Sequence, residues 1–267
     1  MNSDATQTLR SLYIDLVKRS VGDFLYNFDQ IFTQDKQTPF AWTDWRTGRK
    51  HIISDFDELK ENGLIGSQTA HTLIGMHRLN QLQTAVETVI QENIPGDLIE
   101  TGVLRGGACI FMRAILKAYA ISDRIVWVAD SFEGFPWREL KAGQVDVSSF
   151  NKWAAPRAQV EENFKRYQLW DAQVQILEGW FSDTLPSAPI EKLAILRLDG
   201  DIYESTAQAL EYLYPKLSPG GYVIVDDYFA FDECRQAVRE YRQAHQIETK
   251  LIRVDPVCVY WRKEERD

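Results

Sequence analysis

Four aspartates fall in two short segments, each closing an apolar run: Asp199 and Asp201 in LRLDGDIYEST (196–206), Asp226 and Asp227 in VIVDDY (223–228). Carboxylates that converge at neighbouring chain tips repel one another unless a cation lies among them. Hard oxygen donors of this kind suit Mg²⁺ or Ca²⁺, not zinc. Any one of the four would serve equally as a cap or turn residue; for the set, a bound divalent metal explains more. Histidine adds nothing here, since His51, His71, His77 and His245 all lie away from these segments.

Three other segments carry groups suited to a nucleoside-like ligand. Glu100-Thr101-Gly102-Val103-Leu104-Arg105-Gly106-Gly107 places glycines in a turn, where backbone can approach a ligand closely. The carboxylate before the first glycine would repel a pyrophosphate and suits an ammonium or a ribose, although a tight connection needs the same glycines. Asp130-Ser131-Phe132 stands where ribose hydroxyls are held in open α/β sheets, or where a turn needs an acceptor. In Glu178-Gly179-Trp180-Phe181-Ser182-Asp183 the flat rings could sandwich an adenine or fill a core.

The elements that must position these residues follow from periodicity. DLIET (97–101), IVWVAD (125–130), VQILEGW (174–180), LAILRLD (193–199) and GYVIVDD (221–227) are nearly continuous apolar runs, the pattern of parallel strands covered on both faces. Helical segments alternate with them. LIRVDPVCVYWR (251–262) breaks at Asp255-Pro256, a gap too short for a helical crossover, so its two strands must pair antiparallel. Upstream, residues 1–94 read as a helical extension. It holds an apolar-periodic helix near Leu9–Val21, a polar stretch with Trp42 and Trp45, and a helical run over His71–Gln91. Residues 95–267 form the α/β domain, with a long insertion at about 135–156 that carries Trp137, Phe150 and Trp153 and is expected to act as a lid.

Bulk properties exclude several classes. The chain has 267 residues, 45% of them hydrophobic, and a formal charge of −9, with no clustered basic face for a phosphate backbone or an anionic membrane. No run approaches the roughly 18–20 apolar residues of a membrane span, and the first residues show no secretory pattern. Cys109, Cys234 and Cys258 have no metal or redox spacing and read as buried thiols in a reducing cytoplasm.

Taken in order, these residues resemble the TylF/macrocin O-methyltransferase family. The resemblance rests on AHTLIGMHRLNQLQ (70–83), PGDLIETGVLRGGACIFMRAILKAY (95–119), VWVADSFEGFP (126–136), EGWFSDTLPSAPIEKLAILRLDGDIYEST (178–206), YPKLSPGGYVIVDDY (214–228) and VYWR (259–262), and covers roughly residues 60–262. It implies a Rossmann-like class I methyltransferase sheet, mostly parallel with an antiparallel C-terminal hairpin. It also implies S-adenosylmethionine, a divalent cation (Mg²⁺ first, Ca²⁺ second) and a hydroxyl acceptor on a small molecule, a sugar of a glycosylated natural product before a catechol-type phenol. Carried over by position, it puts Glu100, Thr101, Gly102 and Arg105 at the methionine end of the cofactor. Asp130 and Ser131 would meet the ribose, and Gly179, Trp180, Phe181 and Asp183 the adenine side. Thr72 and Met76 would close over the cofactor, Asp199, Asp226 and Asp227 would hold the metal, and Asp201 would be the general base. A homo-oligomer is expected. Residues 1–60 and 137–156 match nothing in the family pattern, which leaves the acceptor open.

Energetics favour a metal in such a reaction. An aliphatic hydroxyl with a pKa near water's, about 15.7, lies about 12 units above an aspartate at about 3.9, an uphill transfer of roughly 16 kcal/mol. A cation can remove on the order of 12 kcal/mol of that gap in the best case. Two other classes fit less well. A nicotinamide dehydrogenase is disfavoured by Glu100 and the terminal hairpin, and a non-catalytic scaffold by the intact aspartate set.

Overall fold

The structure, a computed structural model, describes residues 3–25, 40–43, 49–67, 69–134 and 154–266. Trp45, and with it Trp137, Phe150 and Trp153 of the expected lid, lie outside the described residues. The N-terminal part holds α1 (Ser3–Val21), an antiparallel pair of β1 (Phe40–Thr43) with β2 (Lys50–Ile53), α2 (Phe56–Glu61) and α3 (Met76–Gln91). From Asp97 strands and helices alternate: β3 (Asp97–Thr101), α4 (Gly107–Ala118), β4 (Val126–Asp130), α5 (Arg157–Arg166), β5 (Val174–Glu178), α6 (Phe181–Thr184), β6 (Leu193–Leu198), α7 (Tyr203–Leu213), β7 (Leu217–Val225), α8 (Asp232–Ala244), β8 (Ile252–Arg253) and β9 (Val259–Arg262).

Seven strands form one sheet in the order β5-β4-β3-β6-β7-β9-β8. β3 to β7 run parallel, and β9 runs antiparallel to both β7 and β8. The chain starts in the middle at β3, builds outward to β5, then returns to lay β6 on the other side of β3. Strand order therefore reverses between β3 and β6, which opens a crevice beyond their carboxyl ends. The expected α/β class and the antiparallel terminal pair are both present.

Both sheet faces are covered. On one, Ile14, Val17 and Val21 of α1 and Leu79, Leu82, Val86 and Val89 of α3 join α4 residues in a single buried cluster with Leu98, Val126 and Ile195 of the strands. Helices α1 and α3 thus share their core with the sheet, whereas Ile53, Leu59 and Ile65 form a small cluster of their own. On the other face α7 and α8 bury Leu210, Leu213 and Val238 against Ile99, Leu196 and Val223. Each such aliphatic side chain contributes about 1.5–3 kcal/mol. Cys109, Cys234 and Cys258 are all buried free thiols. No described helix is long and apolar enough to cross a membrane.

The structure differs from the periodicity in three places. The His71–Gln91 run becomes helical only at Met76, because Gly75 precedes it in an extended conformation. A Cβ on Gly75 would stand 2.1 Å from the Glu61 carbonyl oxygen and 2.2 Å from the Gly63 nitrogen, so 71–75 are laid against the loop after α2. β7 begins at Leu217 rather than 221, and a register shift between Leu193 and Ile195 absorbs the extra residues. The β1–β2 pair, with Trp42 opposite His51, arises from a polar stretch that showed no strand pattern.

Candidate functional site

The ends of the parallel strands are fixed by the last rungs of the ladder. The N–H of Asp199 donates to the Thr101 carbonyl at 2.9 Å, that of Asp226 to Leu198 at 2.9 Å, that of Gly102 to Ala129 at 2.8 Å and that of Gly179 to Asp130 at 2.9 Å. At the β3–β6 reversal the backbones nearly touch. Gly102 has φ +87°, and a Cβ there would lie 2.0 Å from the Asp199 carbonyl oxygen. Beyond these tips lies a cavity of about 320 Å³, within the size range of small-molecule sites.

Asp199, Asp226 and Asp227 each bring one carboxylate oxygen within 4.8 Å of the others. Asp201 lines the same cavity, and its backbone is left-handed at φ +60°. Two buried arginines, missed in the sequence, stand among these acids. Arg197 Nη1 donates to Glu100 Oε1 and to Asp199 Oδ2, both at 2.6 Å, and its Nη2 donates to Asp226 Oδ1. Arg78 Nη1 donates to Asp226 Oδ2 at 2.5 Å, its Nε to Asp255 Oδ2 at 2.5 Å, and its Nη2 to the Asn62 carbonyl at 3.1 Å. Part of the positive charge that the acidic set demands is therefore the protein's own.

The compensation is incomplete. Burial pushes Glu100 up to about 7, Asp199 up to about 6 and Asp201 up to about 7, and burial with its acidic neighbours raises Asp227 well above the ordinary range. Burial also acts on Asp226, but Arg78 and Arg197 outweigh it and hold that carboxyl below its usual value. Asp201 and Asp227 are hydrogen-bonded to each other, so one of them keeps a proton unless a cation replaces it. Asp227 Oδ2 is buried and has no partner among the described residues, and the Asp199 side chain is 25% exposed. An orphaned buried oxygen with two further carboxylates within 4.8 Å could hold a hard divalent cation, and the residues fit one.

Of the other residues singled out in the sequence, Thr72, Glu100, Gly102, Asp130, Ser131, Gly179, Trp180 and Phe181 line the cavity. Glu100 is already engaged, accepting from Arg197 and, at 2.9 Å, from the Cys109 thiol. Asp130 accepts from the N–H of Val103 at 2.7 Å and of Phe132 at 2.8 Å, which clamps the glycine turn to the loop after β4. Ser131 Oγ donates to the Gly134 carbonyl at 3.0 Å. Four residues are not brought into the lining. Thr101 is buried behind it, with Oγ1 donating to the Arg197 carbonyl at 3.4 Å. Arg105 donates to the Ala70 carbonyl, Asp183 is exposed and accepts from Ser182 Oγ at 3.1 Å, and Met76 is the first residue of α3. Besides Arg78, the lining adds Glu204, Ser205 and Gln208 of α7. Arg197 is buried inside a strand covered on both faces, where an arginine has to be paired, but within LAILRLD it stands as a single polar interruption.

Comparisons with known proteins agree on one family. The Macrocin-O-methyltransferase (TylF) family pattern matches residues 10–263, so it extends over most of residues 1–60 and spans 137–156, where the sequence motifs showed no clear match. The Mycinamicin III 3''-O-methyltransferase of Micromonospora griseorubida is 45% identical over 259 residues, 94% of this chain and 96% of that protein. The 8-demethyl-8-(2,3-dimethoxy-alpha-L-rhamnosyl)-tetracenomycin-C 4'-O-methyltransferase of Streptomyces olivaceus is 44% identical over 265 residues, 96% of this chain and 94% of that protein. Among solved structures, the O-methyltransferase NovP superposes with a TM-score of 0.83 at 44% identity, covering 96% of this chain and 100% of that one.

Proposed function

This chain belongs to the TylF macrocin O-methyltransferase family, and on that premise we propose that it methylates a sugar hydroxyl of a glycosylated natural product, using S-adenosylmethionine and a divalent cation, Mg²⁺ first. The observation that carries the reading is the meeting of Asp199, Asp226 and Asp227 within 4.8 Å, in one cavity with Asp201, Gly102 and Trp180. When bound, the sulfonium would supply an electrophilic methyl group, leaving as the neutral thioether S-adenosylhomocysteine, and the cation would lower the acidity barrier of the acceptor hydroxyl.

The chain's own residues do the rest. Gly102, lacking a side chain, allows close backbone approach to the cofactor, and Asp130 keeps the turn around it in shape. Trp180 and Phe181 offer flat apolar surface for a purine. Asp199, Asp226 and Asp227 would hold the cation, the orphaned Oδ2 of Asp227 foremost. Asp201 receives the hydroxyl proton on its carboxylate, and bringing the two reactants together provides much of the remaining acceleration. The sugar acceptor is inferred from the relatives, whose names place their methyl groups at 3''-O and 4'-O positions.

The test is methyl transfer from labelled S-adenosylmethionine to a glycosylated macrolide, its aglycone and a catechol, with and without EDTA. Transfer to the glycoside alone, abolished by EDTA and restored by Mg²⁺, is the expected result. Full activity after metal removal, or preference for the catechol, would overturn the reading.

A further inference from the structure

Resting on that reaction, we infer that Arg78 is a positioning residue that couples occupation of the metal end of the cavity to occupation of its cofactor end. Arg78 lies in the first turn of α3, directly after the extended segment whose Thr72, Leu73 and Ile74 line the cavity. Its side chain is 6% exposed, and its three donors reach three separate parts of the chain. These are the loop after α2 at the Asn62 carbonyl, the tip of β7 at Asp226, and the β8–β9 connection at Asp255.

Asp255 is itself immobilised, because its Oδ1 accepts the N–H groups of Val257 and Cys258, both at 2.8 Å. From Asp226 the ion pairs continue through Arg197 to Glu100. Buried charges of alternating sign thus run Asp255, Arg78, Asp226, Arg197, Glu100 across the carboxyl ends of β7, β6 and β3. A guanidinium fork fixes direction as well as charge. The 72–74 wall therefore cannot shift relative to β7 without disturbing the carboxylate of Asp226, and a cation that fixes Asp226 also fixes that wall.

The charge balance sets the sign of the coupling. Glu100, Asp199, Asp201, Asp226, Asp227 and Asp255 outnumber Arg78 and Arg197, so a divalent cation lessens the excess negative charge without expelling Arg78. The cation then bears part of the ordering cost of the wall, and the cofactor binds a protein already arranged. Linkage makes the effect reciprocal.

The experiment measures the affinity of S-adenosylhomocysteine with and without saturating Mg²⁺, and of Mg²⁺ with and without S-adenosylhomocysteine, by calorimetry. In the unmodified protein each ligand should tighten the other by the same factor, at least about fivefold. Arg78→Lys keeps the charge but cannot span three acceptors, and Asp255→Asn removes the fixed far anchor. Both variants should still bind each ligand alone, with the coupling factor reduced to near unity, whereas a residue serving the fold alone would lower melting temperature and leave the factor intact. Undiminished coupling in either folded variant, or two ligands that bind the unmodified protein independently, would sink the inference. A protein that bound neither ligand would instead refute the methyl-transfer reading together with it.

Discussion

Asp201 holds a left-handed backbone at φ +60°, which aspartate tolerates better than most residues and which aims a carboxylate into the cavity shared with Asp199 and Asp227. Asp201→Asn preserves shape and removes basicity. Its kcat should fall by about 10²–10⁴-fold, while calorimetry finds Mg²⁺ and S-adenosylhomocysteine still bound; unchanged turnover would take the base role away from Asp201. Asp227→Ala, by contrast, deletes the orphaned oxygen and should cost divalent-ion affinity first, read as a higher Mg²⁺ concentration for half-maximal activity. At this scale the sequence was half legible. Acids at the ends of apolar runs announce themselves, because nothing in a core tolerates them unpaired. Arg197 did not, since within LAILRLD it reads as one polar interruption of a strand. Arg78 was hidden by distance, its partners lying 148 and 177 residues further along the chain.

The strands and the antiparallel terminal pair were legible because burial on both faces leaves a continuous apolar signature and a short break forbids a crossover; the strand order, set by long-range pairing, was not. The start of α3 was not. Gly75 offers no side-chain cap, and its place is set by contacts with Glu61 and Gly63 that local periodicity does not encode. The β3–β6 reversal rests on a similar close approach, at Gly102. Gly102→Ala forces a left-handed alanine, about 1–2 kcal/mol, and drives its methyl into the Asp199 carbonyl. We expect a melting temperature lower by at least about 2 °C and weaker S-adenosylhomocysteine binding. A variant with unaltered stability and affinity would mean that the two strand tips can separate freely.

For the molecule as a whole, with a formal charge of −9, the acids that matter most are those buried at the strand tips, where charge is hardest to solvate. Glu100, Asp199 and Asp201, raised to about 7, 6 and 7, bind more protons folded than unfolded. Their contribution to stability is therefore full below the unfolded carboxylate values, near 4, and is lost as pH rises through about 6 to 7. Asp226, held low, acts in the opposite sense only below its ordinary value of 3.8. Metal-stripped protein should melt lower near pH 8 than near pH 5, and Mg²⁺ should restore far more at the higher pH. Equal Mg²⁺ protection at both would contradict this charge account. Synthesis order adds a last consequence. β9 is made after β7 and β8 yet lies between β7 and β8, so a growing polypeptide presents β7 as a bare sheet margin until the whole β8–β9 ribbon has emerged. Asp255 arrives on that ribbon, and only then can it brace Arg78. Ion and cofactor should accordingly reinforce each other only once that ribbon is in place, and a nascent chain halted before Ile252 should show no such mutual tightening.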